Sequence, residues 1–257
     1  MALTKVIGDG LGATNDLTVD TTTLTVDATN NRVGIGTASP SNKFEVDGGS
    51  AETRLRVSTT GTDANEAGII LANSSKSADN DGIEISHGGG YTTFSGLTGT
   101  EYMRITGGTG LITQPLQPAF NVNLGATNSS TLATDGSALT LAFNTERFDN
   151  NADFASNTFT APITGKYLLS LHLRINDMDS AANYYIPTIL TSNQAYRTLI
   201  NPKFSSDVSY IGLIVTIIAD MDASDTCTVT IQQSGGSAQS VVEGTNDYTY
   251  FSGYLLG

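Results

Sequence analysis

The sequence predicts an all-β chain, and three observations lead there. Charged residues make up 14% of the 257 positions, well under the roughly 25% of a typical soluble domain. Thr, Ser, Asn and Gly fill the difference, a composition that disfavours helices and suits short strands joined by tight turns. The clearest apolar run, Tyr167-Leu-Leu-Ser-Leu-His-Leu-Arg-Ile175, alternates with a period of two, so Ser170, His172 and Arg174 lie on the face opposite its apolar residues.

From its start to about Lys43 the chain reads as a thread rather than a globule. Leu-Thr-Val-Asp occurs at Leu17 to Asp20 and again at Leu24 to Asp27, and Arg32-Val-Gly-Ile-Gly36 follows with its own alternation. Each piece is too short to bury its apolar side alone. Three copies wound about one axis would let Leu17, Val19, Leu24, Val26, Val33 and Ile35 meet their symmetry mates. Residues 1–16 are then left as the segment that attaches to a larger particle, and 17–43 form a repetitive β-shaft.

Residues 44–113 have a second texture. Strand-like runs at Arg54-Leu-Arg-Val57, Gly68-Ile-Ile-Leu71, Gly82-Ile-Glu-Ile85, Tyr91-Thr-Thr-Phe94 and Tyr102-Met-Arg-Ile105 are separated by glycine-bearing turns, the pattern of a small β-meander. Gln114-Pro-Leu-Gln-Pro118 marks a boundary, because two prolines so close together resist both helix and central strand.

After the boundary, strands are expected at 119–124, 138–144, 157–161, 166–176, 184–190, 195–200, 208–219, 227–232 and 248–256, a C-terminal domain over 118–257. Cys227 is the only cysteine, so no disulfide framework or cysteine-based zinc site is available. The alternation of Thr226-Cys-Thr-Val-Thr-Ile231 puts its thiol on a core face.

Two resemblances are specific enough to name. Leu24-Thr-Val-Asp-Ala-Thr-Asn-Asn-Arg-Val-Gly-Ile-Gly-Thr-Ala-Ser-Pro-Ser-Asn-Lys-Phe-Glu-Val46, with Glu101-Tyr-Met-Arg-Ile-Thr-Gly further on, resembles the repeats of bacteriophage tail-fibre and virion appendage proteins, and covers roughly the first 112 residues. Phe143-Asn-Thr-Glu with Phe148-Asp-Asn, Phe159-Thr-Ala-Pro-Ile-Thr-Gly-Lys-Tyr167 and Tyr250-Phe-Ser-Gly-Tyr-Leu-Leu256 are similar to the head domains of the complement and tumour-necrosis-factor superfamily. That second resemblance implies a ten-stranded jelly-roll sandwich, a homotrimer, and Tyr248, Tyr250 and Tyr254 near the threefold axis.

Together the resemblances imply a structural virion fibre on the outside of the particle. Its N-terminus would hold a phage tail, adaptor or capsid protein, and its head would bind a host surface glycan or protein. A capsid decoration or head fibre without a dedicated receptor role is the alternative. If the last strand ends beside the shaft, strand parity puts the turns 177–183, 201–207 and 234–246 at the far tip. Asp177, Asp179, Asn183, Asn201, Asp207, Ser234, Gln239 and Asn246 are then the receptor-facing candidates.

Other function classes find little support. A formal charge of −13, three times that in a trimer, repels nucleic acid and anionic membranes. The start of the chain lacks the apolar core of an export signal, and the longest apolar stretch, Tyr210 to Ala219, is half of what a bilayer span needs. His87 and His172 stand in different modules, neither in a nucleophile-bearing context, and Gly107-Gly-Thr-Gly110 is not a phosphate loop. Asp79-Asn-Asp-Gly82 begins like a calcium loop but lacks the closing Glu. The expectation is no enzyme, no cofactor and no metal.

Overall fold

The protein is described from a computed structural model that covers residues 17–19, 23–49, 55, 57, 67–72, 82–125, 129–244 and 247–257. It divides into two compact units, one reaching to Ile69 together with Ser86–Gly89, the other holding Ile70–Ile85 and Gly90–Gly257. The expected attachment segment 1–16, the expected Arg54–Val57 strand as a whole, and Asn246 lie outside the described residues. No α-helix occurs among the described residues.

In the first unit, β1 (Leu17–Val19), β2 (Leu24–Asp27), β3 (Arg32–Ile35) and β4 (Phe44–Val46) form one sheet in that order. The two Leu-Thr-Val repeats do not run as a thread. They pair antiparallel with each other, Leu17 opposite Val26 and Val19 opposite Leu24, because their spacing leaves room for a short hairpin connection. β3 is antiparallel to β2 and β4 is parallel to β3, which aligns Val26, Val33 and Phe44 in one row and Ile35 with Val46 in another. Leu24, Val26, Val33, Ile35, Phe44 and Val46 therefore share a face.

The opposite face of this sheet is covered by its own loop. A Cβ on Gly34 would lie 2.9 Å from Thr37 and 3.3 Å from Pro40, and the Arg32 guanidinium donates to the Pro40 carbonyl at 2.7 Å. Among the described residues the shared apolar face has no such cover: Ile35 and Phe44 are exposed.

The meander strands are β5 (Ala67–Ala72), β6 (Gly82–Gly88), β7 (Tyr91–Gly96), β8 (Glu101–Thr106) and β9 (Ile112–Thr113). β7 and β8 make a hairpin with Tyr91 opposite Thr106 and Phe94 opposite Met103, and β9 lies along the other edge of β8. Arg104 ties the hairpin together, its guanidinium 4.0 Å from the Tyr91 ring and paired with Glu101.

Then come β10 (Ala119–Asn123), β11 (Ser129–Thr131), β12 (Leu139–Thr140), β13 (Thr145–Asp149), β14 (Phe154–Ala155), β15 (Thr158–Thr160), β16 (Gly165–Met178), β17 (Ala182–Thr191), β18 (Ala195–Arg197), β19 (Val208–Met221), β20 (Thr226–Gly235), β21 (Val241–Glu243) and β22 (Tyr250–Leu255). They form a jelly-roll sandwich of two sheets. One runs β13-β10-β22-β16-β19; β22 covers the first half of the long edge of β16, and β21, with β11 beside it, covers part of the second half. The other runs β14-β15-β20-β17-β18, with β12 sharing an edge of β20.

The core between the sheets follows from alternation. Tyr167, Leu169, Leu171, Leu173 and Ile175 of β16 are buried, and Phe120, Phe154, Phe159 and Phe251 cluster around them, Phe120 stacking 4.7 Å from Phe159. Gly253 lets β22 approach this cluster, since a Cβ there would meet Phe120 and Leu169. Cys227 is fully buried, and burial pushes its thiol up to about 12.

The expected strands at 119–124, 157–161, 166–176, 184–190, 208–219, 227–232 and 248–256 match observed ones to within a few residues. Of 138–144, only Leu139 and Thr140 enter a ladder. β11, β13, β14 and β21 are additional.

Candidate functional site

The long antiparallel pairing of β16 with β19 and β22 lays the outward side chains of one sheet in cross-strand rows. Tyr254, Leu168 and Ile218 form the first row, and Asn121, Ser252, Ser170 and Thr216 the second. Tyr250, His172 and Ile214 form the third, followed by Arg174 opposite Gly212 and Asn176 opposite Tyr210. Antiparallel partners point to the same side, so each row is a line of neighbouring side chains.

This face is unusually apolar for a surface. Tyr210 is 66% exposed, Ile214 62% and Ile218 58%, and Tyr254, Tyr248, Leu168 and Phe148 are also exposed. Contiguous apolar surface of this kind marks an interaction site more often than a bare surface. Around Arg174 it folds into a groove of about 590 Å³ lined by His172, Leu173, Tyr210–Ile214 and Tyr248.

Three ring contacts shape that groove. The Arg174 guanidinium lies 4.5 Å from the Tyr210 ring and 4.8 Å from the Tyr248 ring, and its Nε donates to Asn176 at 2.9 Å. His172 stacks on Tyr250 with centroids 4.3 Å apart and planes 13° from parallel. Partial burial holds the His172 imidazole below its usual range.

Of the three tyrosines proposed for a threefold axis, Tyr250 and Tyr254 lie in the rows of this face and Tyr248 lines its groove. Sequence reasoning missed the strongest apolar members, Tyr210, Ile214 and Ile218 of β19. The alternation of that strand is masked by apolar residues on both faces.

The described receptor-facing candidates, Asn246 apart, gather at one end of the head. β16 begins beside the chain terminus, where Lys166 donates to Gly257 and Leu255 to Pro118, and it runs roughly 45 Å at about 3.3 Å per residue. At its other end the loops 177–183 and 201–207 meet: Ser180 N and Oγ donate to Asp207 at 2.8 and 2.7 Å, and Lys203 Nζ donates to the Ala182 carbonyl at 3.0 Å. The start of 234–246 joins them through Asp179. Asp177, Asn183, Asn201, Asp207 and Gln239 are exposed there, and Ser234 is half-buried.

Asp179 does not face outward, which corrects the expectation for that residue. It is 1% exposed, and its carboxylate accepts from Ala181 N at 2.7 Å, Ser237 N at 2.6 Å and Ala238 N at 2.8 Å. These donors hold its carboxyl below the usual carboxylate range.

Nor is 234–246 one open loop. Ser240 is buried and shares a network with Tyr185 and Gln233, and Val241–Glu243 are strand β21. Among its described residues the open part is 236–239.

In the first unit, the proposed shaft residues Leu24, Val26, Val33 and Ile35 share the apolar face of the small sheet, and Leu17 and Val19 pair in register with Val26 and Leu24. No group of His, Cys, Asp and Glu suited to a metal occurs among the described residues.

No family model matches the chain, and no curated protein matches it. Solved structures do. The globular domain of zebrafish complement 1qA protein is similar at 17% identity over 55% of this chain and 98% of that one, with a TM-score of 0.39. Murine APRIL is similar at 11% identity over 55% of this chain and 99% of that one, also with a TM-score of 0.39.

Proposed function

We propose that this chain is a homotrimeric fibre protein of a virion, whose head buries one sheet face between copies and presents the loops at 177–183, 201–207 and 236–239 to a host surface receptor. The observation that carries the reading is the outward face of β10-β22-β16-β19, where Tyr210, Ile214, Ile218 and Tyr254 stand in water in a single copy. Burying them is favourable at about 25 cal/mol per Å² of apolar surface, which gives self-association a driving force. A second apolar face, on the β2-β3-β4 sheet, where Ile35 and Phe44 are exposed among the described residues, supports the same kind of assembly in the N-terminal unit.

The chemistry of the distal loops suits recognition by shape and polar contact. Exposed Asp, Asn, Gln and Ser side chains stand on a backbone held by the Asp179 and Asp207 hydrogen bonds. Threefold presentation would add avidity for a repetitive surface.

The test has two parts. Light scattering should give a mass of about 80 kDa, three times 26.8 kDa, and a mass of one chain would remove the reading. Purified full-length protein added in excess should then reduce adsorption of particles that carry it. Undiminished adsorption would reject the receptor role while leaving the assembly intact.

A further inference from the structure

The second row of the outward face interrupts an apolar surface with four small polar side chains. Asn121, Ser252, Ser170 and Thr216 stand directly opposite one another across β10, β22, β16 and β19. Tyr254, Leu168 and Ile218 border this belt on one side, and Tyr250, His172 and Ile214 border it on the other. Within one copy only part of the belt is internally satisfied: the Ser170 and Thr216 hydroxyls bond at 2.8 Å, whereas Asn121 Oδ1 is buried without a partner.

We propose that this belt sets the axial register of the head assembly by hydrogen bonding to the belts of neighbouring copies. The inference rests on the reading that this face is buried between copies of the chain. Apolar contact alone does not fix how far one copy slides along another, because Ile, Leu and Tyr rows accept one another in several alignments. Polar groups do discriminate, since a hydroxyl or amide buried without a partner forfeits its hydration. Moving one copy by a single row, about 7 Å, sets the belt against isoleucine, leucine and ring carbons. Only alignment of belt with belt gives every copy's hydroxyls and amides an acceptor or donor, and Asn121 reaches such a partner by turning about its soft terminal torsion. The logic is that of a buried polar residue that specifies register in a coiled coil.

The test compares full-length wild type with S170A/T216V/S252A and with T216V alone, all by sedimentation velocity and native mass spectrometry. Circular dichroism checks that each variant is folded, and T216V preserves side-chain shape should the triple variant misfold. Wild type should give one discrete oligomer. The belt variants should spread into several species or a continuous distribution, each lost hydrogen bond lowering the preference for the aligned register roughly three- to tenfold. Belt variants as homogeneous as wild type would overturn the inference and leave self-association standing. A monomeric wild type would remove both.

Discussion

Replacing Asp179 with alanine is expected to unfasten the distal end of the head. The carboxylate is almost fully buried and accepts three backbone N–H groups, one from its own turn and two from the start of the 236–239 loop. Hydrogen bonds to a charged group contribute about 1.5–3 kcal/mol each. Ala181, Ser237 and Ala238 are themselves exposed, so water takes over part of what alanine removes and the low end applies, about 3–5 kcal/mol in total. In a chain of this size that lowers the melting temperature by roughly 6–15 °C. D179N should lose about half as much, because one amide oxygen still accepts while the new NH₂ faces a donor.

Calorimetry at fixed protein concentration measures the loss, and limited proteolysis locates it, with new cleavage expected between Gly235 and Gln239. The folded Asp179 carboxyl titrates below its ordinary value, so its contribution is complete above about pH 4 and fades as the pH falls through the folded value. A destabilisation below about 1 kcal/mol, or cleavage elsewhere, would refute the argument that Asp179 holds this loop.

Further expectations follow from the core and the outward face. G253A places a methyl within 3 Å of Phe120 Cζ and Leu169 Cδ2 and should destabilise by about 1–3 kcal/mol in urea unfolding; no change would mean the cluster yields freely. Cys227, with its thiol raised to about 12, should resist a thiol reagent at pH 8 until the protein unfolds, and rapid labelling of native protein would disprove its burial. His172 is half-buried on the apolar face and burial holds its imidazole below its usual range, so self-association through this face should weaken once the pH falls far enough to charge it, and H172Q should abolish that step. Sedimentation from pH 8 to 5 reads the effect, and equal association at both ends of the range would contradict it.

Much of the sandwich is legible in the chain because β16 alternates without a break. Tyr167 to Ile175 announce which side chains are core, and they also announce that Ser170, His172 and Arg174 share the other face. What that face becomes is not written in β16. It depends on Ile214 and Ile218 standing opposite His172 and Leu168, and that register is a property of pairing between distant segments.

β13 was missed for a related reason. Thr145 to Phe148 are all exposed at a sheet edge, so no buried face imposes alternation on them. β21 hid inside a Gly- and Ser-rich stretch that reads as open loop, although Ser240 and Val242 are buried. The shaft repeat carried its strand identity plainly; its folding back on itself rather than running on as a thread is again a matter of pairing.

The chain enters the head at Pro118, whose carbonyl accepts from Leu255 of β22, and β10 lies between β22 and β13. A pull on Pro118 directed away from the head therefore acts along β10. Its ladders to Tyr250–Tyr254 on one side and to Thr145, Glu146, Phe148 and Asp149 on the other lie across that direction. Tension is shared among all of those bonds at once instead of opening them singly from one end. In the proposed fibre, mechanical load would therefore meet the head in shear.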